Sequence, residues 1–244
     1  KNWIKMQIIS IINQKGGVGK TTTAINLAAG LSQQKKKILL IDLDPQGNAT
    51  TGLGLSNTEN SSDTIYGVLN GSKLISNVIK KTKYDNLDII TSNVDLSGLE
   101  VETAGDTQRA FILKSQLTSY LDDFEGTYDY ILIDCPPSLS LLTVMALVSS
   151  GSVIVPLQTE FFALEGLTQL IKTIERIKLN LNPKLEIRGI LLTMYDKRNK
   201  LSSQVEKEAR DFFAEKVYST VIPRNVRLSE APSHGMPVLI YDKT

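Results

Sequence analysis

Short, almost continuous apolar runs recur along the chain, and between them apolar residues return every three or four positions. The runs are Ile8–Ile12, Ile38–Ile41, Leu87–Ile90, Tyr130–Ile133, Val153–Leu157, Ile187–Leu192 and Val217–Ile222. They are rich in β-branched residues and of strand length. Near-continuous apolarity marks strands buried on both faces. The intervening segments predict helices. Thr21 to Gln34 carries Ala24, Leu27, Ala28 and Leu31 on one face, and Leu164, Leu167, Ile171, Ile174 and Ile177 trace a second stripe that packs on the sheet. Ser203 and Glu206 have capping-box spacing and predict the start of a third helix. Thr107 to Phe124 reads as helical too. The polar stretch Asn57 to Thr82, with its Asn70-Gly71 turn, is either an excursion with little structure or a set of short helices. Strands separated by helices place the chain in the α/β class, as a doubly wound, mostly parallel sheet flanked by helices.

Composition narrows this only a little. A length of 244 residues fits one large α/β domain or two small ones, and 41% hydrophobic residues suffice for a substantial core. No stretch approaches the roughly 18–20 apolar residues of a membrane span. Lys1 to Met6 is too short and mixed for a secretory signal, and a chain that does not begin with Met reads as a trimmed or processed form. The single cysteine, Cys135, excludes an internal disulfide framework and an all-cysteine metal site, reads as a small buried residue, and suits a reducing cytoplasm. A net charge of +1 says nothing by itself about nucleic acid.

The strongest chemical signal lies after the first strand. Asn13 to Gly19 is a glycine-rich loop, followed by Lys20-Thr21-Thr22 at the start of a helix. Glycines let backbone N–H groups wrap an anion, and the helix N-terminus adds a favourable dipole. In such a P-loop, Lys20 reaches the β- and γ-phosphates, Thr21 ligates Mg²⁺ and Thr22 donates to the α-phosphate. The strict pattern G-x-x-x-x-G-K-[ST] is not met, since its first glycine falls on Gln14; an extra lysine, Lys15, stands beside Gly16-Gly17 instead. Asp134 ends a strand at the edge where open α/β sheets bind ligands, and is expected to hold the Mg²⁺ shell. Asp42 and Asp44 follow the second strand. One of them orients or deprotonates the attacking water, and Asp44, further past the strand end, is preferred.

These residues resemble a known family. Lys15-Gly16-Gly17-Val18-Gly19-Lys20-Thr21-Thr22 and Asp42-Leu43-Asp44-Pro45-Gln46-Gly47-Asn48 look like the deviant Walker A ATPases, and more closely the ParA/Soj-type chromosome and plasmid partition ATPases. The segments Tyr128 to Ser138, Glu160 to Gly166, Leu192 to Asp196 and Ile222 to Ser233 agree, so the resemblance spans essentially the whole chain. It implies a Mg²⁺-dependent ATPase cycling between ATP and ADP. Lys15 resembles the signature lysine that crosses an ATP-dependent homodimer to the partner's phosphates, and Asp44 the residue needed for hydrolysis. Met194, Pro223 and Asn225 look like adenine-pocket residues. The family also couples ATP state to nonspecific double-stranded DNA and to a ParB-like centromere-binding protein, in the cytoplasm on the nucleoid. The DNA-binding candidates here are Lys197, Arg198, Lys200, Arg224 and Arg227. They form one basic surface if their two loops share a sheet edge.

Chains of this family usually continue past Tyr241-Asp242 into a final helix. The expectation is therefore one P-loop ATPase domain over residues 1–244 without that helix, and with no helix-turn-helix module before the first strand. A membrane-cycling, division-site-positioning relative would need a basic amphipathic C-terminal helix, which is not seen before Thr244. An iron–sulfur electron-transfer ATPase would need more cysteines than Cys135. A nucleotide-gated DNA-binding switch, with hydrolysis only as reset, overlaps the partition reading. His234 reads as a loop residue, since this chemistry needs no histidine.

Overall fold

The computed structural model describes residues 6–56 and 60–242. Lys1 to Lys5 and the first residues of the Asn57–Thr82 segment lie outside them, as does Thr244. Among the described residues eight strands form one sheet: β1 Gln7–Ile11, β2 Ile38–Asp42, β3 Ile79–Lys81, β4 Leu87–Ile90, β5 Tyr130–Asp134, β6 Ser152–Gln158, β7 Glu186–Tyr195 and β8 Val217–Pro223. Their spatial order is β3-β4-β2-β5-β1-β6-β7-β8. All pairings are parallel except β3 with β4.

Every second residue of the central strands serves a different core. Leu39, Ile41, Ile131 and Ile133 join the apolar cluster on one face, while Ile38, Leu40, Leu132, Ile9 and Ile11 join the cluster under helix α1 (Lys20–Gln33) on the other. Burial on both faces is why these strands read as apolar runs rather than as alternations. The chain moves from β1 to β2 on one side and reaches β6 on the other. This reversal opens a crevice at the carboxyl end of β1, the usual ligand position in such sheets.

One open alternative is settled, two helix starts move and one helix is new. The stretch before Thr82 resolves into short helices, Ile65–Leu69 and Ile75–Val78, and then the edge strand β3. Three residues in strand are too few to leave a period. The helix expected from Thr107 begins at Ile112, after a 3₁₀ turn at Arg109–Phe111. The third helix starts at Lys200, where the Asn199 side chain accepts from the Leu201 amide. Ser203 therefore lies inside this helix, not at its cap, and Glu206 pairs with Arg210 at 2.9 Å. An unforeseen helix, Leu141–Ser149, is buried nearly all round, so it carries no amphipathic stripe.

The last described turns return to the first half of the fold. The Val238 amide donates to Asn26 Oδ1 of α1 at 2.8 Å. Gly235, in left-handed backbone with φ of 62°, lies against Gly54; a Cβ at Gly235 would fall 2.7 Å from the Gly54 Cα. No side chain fits that contact without moving backbone.

Candidate nucleotide site and its cationic neighbour

The loop after β1 is held before any ligand arrives. Asn13 Nδ2 donates to the Pro156 carbonyl at 2.7 Å, and Asn13 Oδ1 accepts from the Lys15 amide at 3.0 Å. Thr193 Oγ1 donates to the Val18 carbonyl at 2.8 Å, tying the loop to β7. Gly19 precedes α1 with φ of 89°, a backbone that a side chain would strain, and the first turn of α1 carries no acidic residue. Its free amides and dipole face open space. Lys20 is buried, and its Nζ donates to the Lys15 carbonyl at 2.8 Å. Burial lowers its pKa, and Asp134 and Asp44 act against that shift.

Gly16, Gly17, Gly19, Lys20, Thr21, Thr22 and Asp44 line a cavity of about 390 Å³, with Gln46, Asn48, Pro137, Met194 and Pro232 among its other walls. Val18 instead points into the core, 2% exposed, and contributes its carbonyl. Asp42 and Asp44 separate by position. Asp42 is fully buried, and its Oδ2 accepts from the Thr50 amide at 2.8 Å and the Thr50 hydroxyl at 2.7 Å. Its Oδ1 accepts from the Asp44 amide at 3.2 Å. Asp42 thus anchors the turn, and Asp44 lies in the cavity wall.

Asp134 sits beside Asp42 in the β2–β5 register and is likewise buried. Thr21 Oγ1 donates to Asp134 Oδ2 at 2.7 Å, while Asp134 Oδ1 has no hydrogen-bond partner among the described residues. Burial, then the neighbouring Asp42, pushes the Asp134 carboxyl well above its ordinary range. An orphaned buried carboxylate oxygen beside a hydroxyl is an all-oxygen donor set, which suits a hard dication such as Mg²⁺. The fit is good.

A second cavity, about 260 Å³, adjoins the first and shares Gly19, Thr22, Met194 and Pro232 with it. Met194, Pro223 and Asn225 all line it. Met194 has a left-handed backbone, φ 51°, where the β7–β8 register shifts between Leu192 and Tyr195. Holding a non-glycine residue there costs roughly 1–2 kcal/mol, and such bulges re-aim side chains beside sites.

Lys15 does not line the phosphate cavity. Its Nζ pairs with Glu160, just past β6. Behind Glu160, Phe161 and Phe162 stack edge to face, 67% and 72% exposed.

The two loops proposed to be basic do share one sheet edge, since β7 and β8 are parallel neighbours. Lys197, Arg198 and Arg224 line one cleft of about 530 Å³ with Tyr195, Asp196, Val221 and Pro223. Arg198 makes two 3.1 Å contacts to Asp196. Lys200 opens the next helix and Arg227 lies in the turn after β8; neither lines this cleft. Arg227 faces Glu230 at 3.1 Å and Asp242 at 3.8 Å. His234 stacks on Tyr241, away from the phosphate cavity.

Sequence reasoning gave no role to Asn13, Thr50, Glu160 or Thr193. Asn13 carried a local signal, an Asx side chain between a strand and a glycine-rich loop. Thr50 reaches Asp42 from eight residues on and Ser92 from 42 away, while Glu160 and Thr193 act through contacts 145 and 175 residues away, which no local pattern encodes.

A family model described as an AAA domain matches residues 6–187. The chromosome partitioning protein ParA of Caulobacter vibrioides is 54% identical over 237 residues, covering 97% of this chain and 88% of that protein. The sporulation initiation inhibitor protein Soj of Bacillus subtilis is 50% identical over 236 residues, covering 97% and 91%. Among solved structures, the cobyrinic acid a,c-diamide synthase of Mycobacterium smegmatis, with a bound ATP analogue and magnesium, superposes with a TM-score of 0.83. It is 35% identical, covering 91% of this chain and 86% of that one. With relatives at 54% and 50% identity each covering 97% of it, the chain belongs to the ParA/Soj family of P-loop partition ATPases.

Proposed function

We propose that this partition ATPase binds ATP with Mg²⁺, closes into a homodimer and in that state holds double-stranded DNA without regard to sequence. A ParB-like centromere-binding protein then stimulates hydrolysis and releases it, so that a chromosome or plasmid is moved along the nucleoid. The observation that carries this reading is a row of three cavities: Met194 lines both the P-loop cavity and the one beside it, and Pro223 lines both that one and the cationic cleft.

The division of labour follows from position. The Gly16–Thr22 amides and Lys20 hold the triphosphate, and Met194, Pro223 and Asn225 hold the base. Thr21 and Asp134 hold Mg²⁺, which supplies charge neutralisation on the phosphate oxygens. Asp44 orients a water in line with the γ-phosphorus; the O–P bond to ADP breaks as the new one forms. Lys15 does not line its own phosphate cavity, and a cation delivered across a dimer would stabilise charge developing on the γ-phosphoryl group. Arg198, Lys200, Arg224 and Arg227, with Lys197, neutralise backbone phosphates. Two copies of such a patch bind far better than one.

The test is a gel shift on a random-sequence duplex with ATP, ADP or no nucleotide, with Asp44→Ala alongside. The expected result is ATP-dependent retention, stronger in Asp44→Ala and lost at high salt. No retention in any state, together with ATP-dependent binding to anionic phospholipid vesicles, would replace this reading with the membrane-cycling one.

A further inference from the structure

Lys15 is fixed at its backbone and loose at its tip. Its amide donates to Asn13 Oδ1 at 3.0 Å, and its carbonyl accepts from Lys20 Nζ at 2.8 Å. Asn13 is in turn fastened to the Pro156 carbonyl of β6. The Lys15 side chain is 55% exposed, stays out of the phosphate cavity and pairs with Glu160. Glu160 lies two residues past the end of β6, the same strand that anchors the loop. Its amide donates to the Gln158 carbonyl at 2.9 Å, and its carbonyl accepts from the Ala163 amide at 3.2 Å. Main-chain contacts therefore hold both residues of the pair in place and leave their side chains to move.

We propose that Glu160 is a latch on Lys15: in the monomer it holds the ammonium group in cis, and the γ-phosphate of a second copy's ATP must take that group away as the dimer closes. The inference rests on the homodimer reading above and adds its regulation. The exchange replaces one anion with another. Glu160 offers a single negative charge, and its side chain is 29% exposed. An ion pair between groups this open to water shifts an equilibrium by no more than about fivefold. A terminal phosphate carries more charge and accepts through three oxygens. It therefore wins the lysine from the carboxylate. ADP has no group at that position, so with ADP the lysine stays on Glu160. The latch answers to the γ-phosphate and opposes closure without it.

Glu160→Gln keeps the shape of the side chain and removes its charge, so the sign of its effect decides the matter. Sedimentation velocity with ATP and Mg²⁺ should show Glu160→Gln dimerising about two- to fivefold more tightly than wild type. The gain should shrink as salt is raised. Glu165→Gln makes the same charge change at an exposed position five residues on and should match wild type. A second readout addresses the lysine directly. Trace acylation with acetic anhydride, followed at Lys15 by mass spectrometry without nucleotide, should run faster in Glu160→Gln, because the amine is no longer held. Unchanged dimer affinity, unchanged Lys15 acylation, or an equal gain in Glu165→Gln overturns the latch and leaves the dimer reading intact. A weaker Glu160→Gln dimer also overturns it and makes Glu160 a contact to the second copy instead. A wild type that stays monomeric with ATP overturns both.

Discussion

Thr50→Val isolates the part of the site that sequence alone could not see. Valine matches the shape of threonine and removes only the hydroxyl. That hydroxyl donates to Asp42 Oδ2 at 2.7 Å and accepts from the Ser92 amide at 3.1 Å, and all three residues are fully buried. Losing a hydrogen bond to a charged acceptor costs roughly 1.5–3 kcal/mol, and a buried amide left unpaired costs roughly 1–3 kcal/mol. The expected loss is about 3–5 kcal/mol, a large share of a typical domain's stability. Urea unfolding followed by circular dichroism measures it, with an unchanged slope showing that the folded state stays compact. Turnover should fall as well, because Asp42 Oδ1 holds the Asp44 amide. A loss below about 1 kcal/mol would refute the reasoning, since the Ser92 amide and Asp42 would then have partners the burial forbids.

Other expectations follow from the same geometry. Lys20→Ala should abolish detectable ATP binding by calorimetry, since its ammonium is the buried cation of the phosphate cavity. On the proposed DNA reading, Arg227→Glu should keep ATP affinity within about twofold and lose DNA retention, because it replaces an exposed cation near the sheet edge with an anion that repels phosphate. Asp42 should make stability depend on pH. Burial raises its pKa from 3.8 to about 6 against the Thr50 bonds, so the folded state binds the extra proton across that window. Its contribution is present below about pH 4 and lost as pH rises through about 6, a difference of roughly 3 kcal/mol at 1.36 kcal/mol per unit. Thermal melts of Asp42→Asn should show a shallower decline over that range than wild type.

Much of this fold was legible because parallel strands buried on both faces leave dense apolar runs. All seven parallel strands were read as apolar runs, the central ones being buried on both faces, and the missed one, β3, is a three-residue antiparallel edge. The Leu141–Ser149 helix was illegible for a related reason, as burial on every side erases its period. At the site, the P-loop spoke through adjacent residues. The choice between Asp42 and Asp44 did not, because it turns on Thr50 and Ser92, whose positions relative to Asp42 only the folded sheet fixes. Glu160 was visible as a letter in a motif. Its engagement of Lys15 joins residues 145 apart.

The contact of Gly235 with Gly54 also sets an order of manufacture. The phosphate loop leaves the ribosome near the start of the chain, while Pro223, Asn225 and Pro232, which line the neighbouring cavity, come near its end. About 200 residues separate Lys20 from Pro223, which at 5–20 residues per second is roughly 10–40 s of synthesis. The phosphate loop is itself held by Pro156 and Thr193, so its cradle is complete only once those residues have emerged, and the last described turns follow later still. The meeting of the two glycines is thus among the last contacts the chain can make, after every strand of the sheet has been synthesised.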